Sequence, residues 1–112
     1  MKRGEIRFAT LDPAIGNEIR KRRPVVIVSN NANNRAAGVV TIVPLTSNVA
    51  KIYPFEVFLP AKKTNLSKDS KASAQQIRTI SKKRLAGTKV GAVPDDLLSQ
   101  IDNALRIHLA LK

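Results

Sequence analysis

Two periodicities run through the apolar positions of this chain. From Pro24 to Ser29 the run Val25-Val26-Ile27-Val28 is continuous and β-branched, the pattern of a strand buried on both faces. Val39 to Val43 is a second such run. Glu5 to Leu11 reads as another strand, closed by Asp12-Pro13. Phe55 to Leu59 alternates imperfectly, with Phe55, Val57 and Leu59 set against Glu56 and Phe58. Lys71 to Ile80 is a weaker strand candidate through Ala72, Ala74, Ile77 and Ile80, and Thr88 to Val93 adds a last short one. Toward the C-terminus the period lengthens. Leu97, Leu98, Ile101, Ala104, Leu105, His108 and Leu109 fall on one helical face, and Pro94-Asp95-Asp96 opens that helix with acidic residues at the positive end of its dipole. A shorter helix is predicted over Ser81 to Ala86, with Ser81 as N-cap and Gly87 as stop.

The connecting segments are polar. Asp12 to Arg23 carries Gly16 and a basic cluster, and Asn30 to Gly38 is Asn-rich with room for a helical turn. Ser47 to Pro54 and Pro60 to Lys71 are basic and are expected to be mobile. No internal repeat or interdomain linker interrupts the 112 residues, so one domain over 1–112 is expected. Many strands with a terminal helix predict a mainly β (α+β) fold: a small curled sheet or SH3-like barrel with the C-terminal helix packed on it.

Charge narrows the partners. Twenty Lys and Arg against eight Asp and Glu give a formal net charge of +12, a field that attracts polyanions. Nucleic acid, an acidic membrane surface and an acidic protein all fit that field. There is no cysteine, which excludes disulfides, thiolate metal sites and cysteine nucleophiles. Met1-Lys2-Arg3 is not followed by a signal-type apolar stretch, and the Val25 to Val28 run is far too short to cross a bilayer. A soluble, cytoplasmic chain with no membrane association is expected.

Four segments, in order, resemble a known family. Arg3-Gly4-Glu5-Ile6 opens the first strand. Gly16-Asn17-Glu18 and Arg23-Pro24-Val25-Val26-Ile27-Val28 follow. Val43-Pro44-Leu45-Thr46-Ser47 is next, and Gln75-Gln76-Ile77-Arg78-Thr79-Ile80 precedes Ser81-Lys82-Lys83-Arg84-Leu85. Together they resemble the MazF/PemK (Kid) ribonuclease toxins of type II toxin–antitoxin systems, over nearly the whole chain. The resemblance implies a barrel-like sheet with helices, a homodimer, a cognate antitoxin, and cleavage of single-stranded RNA at short sequences without a metal or cofactor. It implies that Arg23 and Thr46 stand at the family's catalytic positions, that Glu18 contacts RNA, and that Gln75 and Gln76 sit where relatives read bases. This chain departs from the family by having Ser81 where an Asp is usual. It also has Ser73 and Gln75 where the Kid branch places an Arg and an Asp, so the Arg/Thr mechanism of the other branch is the one that fits.

Metal-free RNA cleavage uses the ribose 2′-OH as nucleophile and leaves a 2′,3′-cyclic phosphate and a 5′-OH. Something must take the 2′ proton, offset charge in the transition state and protonate the leaving oxygen. The single histidine rules out a two-histidine acid/base pair within one subunit, and His108 reads as structural on the apolar helix side. Arg23, at the mouth of a buried strand beside Lys21 and Arg22, can hold two phosphate oxygens with its planar fork. A pKa above about 12 makes it a poor general base, so charge stabilisation, with proton donation as a second role, is expected of it. Thr46 offers a hydroxyl donor, although its Thr-Ser-Asn context is also ordinary turn chemistry. Glu18 is equally a proton acceptor, a partner for a base, or a solvated loop carboxylate. Arg20, Lys21, Arg22, Lys51, Lys62, Lys63, Lys68 and Lys71 are candidates for phosphate contacts. Asn30, Gln75 and Gln76 could supply base-reading edges, and Tyr53 and Phe55 stacking surfaces, with Phe55 the more core-like. Two other functions stay open: a nucleic-acid-binding module without catalysis, and a gyrase-inhibitor-like toxin of the same fold. If the chain is a toxin, an acidic, partly disordered antitoxin segment is expected to cover the basic groove.

Overall fold

The computed structural model describes residues 1–112. Seven strands form one antiparallel sheet: β1 (Glu5–Thr10), β2 (Arg22–Ile27), β3 (Val39–Thr46), β4 (Glu56–Leu59), β5 (Ser70–Ser73), β6 (Arg78–Ser81) and β7 (Leu85–Ala92). They run in the order β4-β5-β3-β2-β1-β7, with β6 also paired to β3. The long strand β3 is the spine. One edge pairs with β2, while the other pairs first with β6 and then, at Leu45 and Thr46, with β5. The outer strands β4 and β7 do not pair with each other, so the curled sheet stays open and the expected barrel does not close through hydrogen bonds.

The β-branched run of β2 does what its pattern requires. Val25 and Ile27 point to one face and pack with Ala9, Leu11, Val40, Ile42 and Ile80. Val26 and Val28 point to the other and join Ile6, Val43, Leu45, Val57 and Leu59. This second cluster is closed by α3 (Asp95–Leu109) through Leu97, Ile101 and Ala104. Each fully buried Leu or Ile there contributes about 1.5–3 kcal/mol. The buried face of α3 ends earlier than its periodicity suggests: Ala104 is its last buried residue, and His108 and Leu109 are exposed. His108 is therefore not a core residue, and it lies in the last turn of α3 with Arg106.

Three local expectations are corrected. The predicted Ser81–Ala86 helix is one 3-10 turn, Lys82–Arg84, after which Leu85 starts β7. Ser81 does cap that turn, accepting from the Lys83 N–H at 3.1 Å. Gly87 is not a helix stop. With φ +66 it lies at the register shift between β1 and β7, where extra residues of β7 bulge outward. The Lys71–Ile80 segment is not one strand, since the 3-10 turn Ala74–Gln76 separates β5 from β6. The Pro60–Lys71 segment is pinned rather than loose. It carries the single turn α2 (Ala61–Thr64), Asp69 accepts from the Ala61 N–H at 2.9 Å, and a Cβ at Gly91 would collide with the Thr64 carbonyl. The Asn-rich turn is α1 (Asn31–Ala36).

Candidate active site

Strand register gathers polar side chains on one face. β2 and β3 pair Val25 with Pro44, and continuing that register sets Arg23 opposite Thr46. Thr46 pairs with Lys71 on β5, and Ser73 pairs with Glu56 on β4. Directly opposed residues of antiparallel strands share a face, so Arg23, Thr46, Lys71, Ser73 and Glu56 form a band across four strands. The loop between β1 and β2 overhangs this band. Together they enclose a polar pocket of about 310 Å³ that Glu18, Arg20, Asn48, Gln75 and Gln76 also line. Arg23 and Thr46 also line a second, less polar cavity of about 410 Å³, floored by Phe8, Pro24, Leu45 and Leu66. The two residues thus form the ridge between two hollows.

Arg23 is half-buried, and its Nε donates to the Arg20 carbonyl at 3.1 Å. That bond fixes the plane of the guanidinium. Neither terminal nitrogen has a protein partner, and none of the three ion pairs in the molecule involves Arg23. Thr46 Oγ accepts from the Asn48 N–H at 3.3 Å. The turn role is thus present, and accepting leaves the hydroxyl proton free to donate.

Glu18 is exposed, and its Oε1 accepts from the Ile15 N–H at 2.6 Å, bracing the loop around Gly16. Gln76 holds that loop from below. Its Oε1 accepts from the Ile19 N–H at 3.2 Å and its Nε2 donates to the Asn17 carbonyl at 3.1 Å. Both ends of the Gln76 amide are thereby engaged, while Gln75 is exposed at the pocket wall. Arg20 donates to the Ala14 carbonyl at 3.0 Å. Lys21 is exposed in a left-handed conformation at φ 71, and Arg22 lies 4.2 Å over the Phe8 ring in the less polar cavity. Tyr53 stacks on the half-buried Phe55 at 5.4 Å, with the Lys51 ammonium 4.8 Å from the Tyr53 ring.

Asn30 is not brought to the pocket. It caps α1 by accepting from the Asn33 N–H at 2.8 Å, beyond the far end of β2. The length of that strand, about 20 Å at the usual rise per residue, separates it from Arg23.

Sequence reading did not single out Glu56, and it named Ser73 only as a departure from the Kid branch. Glu56 Oε1 accepts from the Tyr53 N–H at 3.0 Å and from Lys71 Nζ at 3.1 Å, and its Oε2 accepts from Ser73 Oγ at 3.1 Å. Lys71 also donates to the Lys51 carbonyl at 2.8 Å. The Glu56 side chain is only 6% exposed and that of Lys71 12%, so this pair is shielded from the solvent that weakens surface ion pairs. Burial by itself raises the Glu56 pKa, but the Tyr53 N–H, Lys71 and Ser73 together outweigh it and hold the carboxyl below its ordinary value. The only advance signal was polar residues at alternate strand positions, which is also the signature of a solvated face. No three His, Cys, Asp or Glu side chains converge as a metal-ligand cluster. No helix is long and apolar enough to cross a membrane.

Known proteins resemble the chain over its whole length. It is 49% identical to the endoribonuclease MazF9 of Mycobacterium tuberculosis, over 99% of this chain and 98% of that protein. The fold matches crystalline MazF from Deinococcus radiodurans with a TM-score of 0.85 at 28% identity, covering 98% of this chain and 96% of the other. It matches a mycobacterial endoribonuclease in complex with its cognate antitoxin with a TM-score of 0.81 at 28% identity, covering 100% and 97%. Residues 2–109 match the PemK-like, MazF-like toxins of type II toxin–antitoxin systems, and the chain belongs to that family.

Proposed function

We propose that this chain is an endoribonuclease toxin that cleaves single-stranded RNA without a metal ion. The observation that carries the reading is the Arg23 guanidinium, held by one backbone carbonyl, with both terminal nitrogens free beside the Thr46 hydroxyl. In this mechanism the 2′-oxygen attacks the adjacent phosphorus and the bond to the 5′-oxygen breaks. The Arg23 fork receives two non-bridging oxygens whose negative charge grows as the transition state forms. Thr46 donates its free proton to the same group. Glu18 keeps one carboxylate oxygen clear of its loop contact, and that oxygen takes the 2′ proton or binds a flanking base. As its second role, Arg23 donates the proton to the departing 5′-oxygen. The products are a 2′,3′-cyclic phosphate and a 5′-OH.

The chemistry is tested by incubating the purified chain with a mixed RNA pool in excess chelator and mapping the fragment ends. Cleavage with cyclic-phosphate ends is expected. A strict requirement for magnesium, or 5′-phosphate ends, overturns the mechanism. RNA that is bound and left intact makes the protein a binding module.

The toxin acts in the cytoplasm as a homodimer, and an acidic antitoxin segment neutralises it by lying along the basic groove. The formal net charge of +12 supports that partner. So do Ile15 and Ile52, which stand 82% and 40% exposed on loops flanking the pocket, where a second chain would cover them. Sedimentation should give a dimer. Full activity in a strictly monomeric sample removes the dimer from this reading.

A further inference from the structure

The buried pair at the far end of the pocket has a property that a purely structural ion pair does not need. A carboxylate offers about four acceptor positions. Three are filled in Glu56, by the Tyr53 N–H, Lys71 and Ser73. Oε1 carries two of those donors and Oε2 only one, so the open position is on Oε2. The group lines the same pocket as Arg23 and Thr46. By the strand order β3-β5-β4 it lies two strand spacings from Thr46, about 10 Å across the sheet. That offset suits the base of a nucleotide next to the scissile phosphate rather than the phosphate itself. An anionic oxygen would in any case repel a phosphate.

We propose that Glu56, held by Lys71 and Ser73, is a specificity-determining residue: its free acceptor reads the exocyclic amino group of an RNA base flanking the cut and disfavours uracil there. This rests on the endoribonuclease reading above. Adenine, cytosine and guanine each carry such an amine, and uracil alone does not. The one ring N–H that uracil can offer on its pairing edge lies between two carbonyl oxygens, so presenting it drives a carbonyl against the anionic group. Gln75, exposed at the wall of the same pocket, supplies a further donor and acceptor to the base so positioned. The arrangement also explains why three donors converge on one carboxylate. They keep it ionised and acceptor-only in a shielded place, where an ordinary carboxyl could take up a proton and present the wrong pattern.

The test is cleavage of an RNA pool randomised around the mapped cut, by the wild type and by Glu56→Gln. The wild type should show one position within two nucleotides of the cut where amino-bearing bases exceed uracil by about tenfold or more, the usual discrimination of a good base contact. Glu56→Gln should shrink that ratio severalfold at this position and leave the other positions unchanged. An active variant with an unaltered base profile overturns the subsite and leaves the nuclease intact. A wild type that cuts no RNA overturns the nuclease reading and the subsite with it. If Glu56→Gln does not fold, the wild type is given RNA in which the preferred cytosine is replaced by pyrimidin-2-one, or the preferred adenine by purine, deleting the amine alone. Cleavage should fall about tenfold, and undiminished cleavage overturns the proposal.

Discussion

Arg23 is bonded to no carboxylate although Glu18 and Glu56 line the same pocket, because the Ile15 N–H engages the first and Tyr53, Lys71 and Ser73 the second. With twenty cationic residues to eight acidic ones, most guanidinium and ammonium groups have no partner. The three ion pairs that do form engage Arg3, Arg7 and Lys71. Arg23 combines a backbone tether, at the Arg20 carbonyl, with a place beside Thr46 where the two hollows meet. Thr46 makes a more discriminating probe, because its hydroxyl has two separable roles. Thr46→Ala should lower kcat by about 100-fold, within the range for losing one transition-state donor. Thr46→Ser, which keeps both the turn and the donor, should stay within several-fold of wild type. Equal loss in both variants would show that the methyl group matters rather than the proton. At this scale the sequence pointed to Arg23 and Thr46, which the structure brings to one pocket, since both lie in contiguous segments that resemble a family. It was silent on Glu56 and on its partnership with Ser73, because that partnership exists only through the β4–β5 register, which no short segment encodes. For Gln76 it gave the place but not the present partners. The amide is committed to Asn17 and Ile19, bonds between residues nearly sixty positions apart.

Among the elements, the loop between β1 and β2 carries most of the functional consequence. It contributes Glu18 and Arg20 to the pocket, and apart from its own turn it is held by side chains distant in sequence: Gln76 from one 3-10 turn, Arg78 of β6 to the Leu11 carbonyl at 2.9 Å, and Arg84 from the other 3-10 turn to the Asp12 carbonyl at 2.7 Å. Gln76→Ala removes two of these bonds. It should cost about 1–2 kcal/mol of stability and raise KM more than it lowers kcat, as urea melts and steady-state kinetics on one RNA would check. A fall in kcat alone, with KM unchanged, would instead place Gln76 on the reacting groups. Ile101→Ala lies in the core beneath α3, away from this loop. It should cost about 2–5 kcal/mol in the same melts, with little change in kcat for the folded fraction. Strands β1 to β4 and helix α3 were legible from periodicity because each buries a continuous face. The segment from Lys71 to Gly87 was not. Its alternation is broken by a 3-10 turn that serves pocket geometry, and Gly87 marks a bulge whose only local sign, a glycine after a basic run, equally fits a helix end.

For the whole molecule, charge sets both capture and acid stability. RNA binding to a groove of this kind should weaken linearly on a log–log plot as salt rises, with a slope of about −0.7 for each phosphate neutralised. Anisotropy titrations between 50 and 300 mM salt would measure it, and a flat line would remove the electrostatic capture claimed for the basic loops. Two carboxyls, Glu56 and Glu5, are held below their ordinary values. For Glu5, burial opposes ionisation but is outweighed by the Arg7 hydrogen bond, the Lys2 backbone and nearby positive charge. A depressed folded-state pKa means that the unfolded chain binds more protons in that range. The stabilisation is therefore complete above the unfolded value, about 4.3, and fades as pH falls through the lower folded value. Urea melts from pH 6 to 3 should show stability dropping on that limb, and Glu56→Gln should flatten part of it. An unchanged acid limb in that variant would contradict the assignment.

The most direct measurement is the single-turnover cleavage rate of one mapped RNA, in chelator, for wild type, Arg23→Ala and Arg23→Lys, with folding of each verified by its urea melt. The account predicts that Arg23→Ala is slower by about 100- to 1000-fold. Arg23→Lys should recover only part of the loss, because an ammonium restores the charge without the fork. A folded Arg23→Ala protein that cuts at the wild-type rate would contradict it.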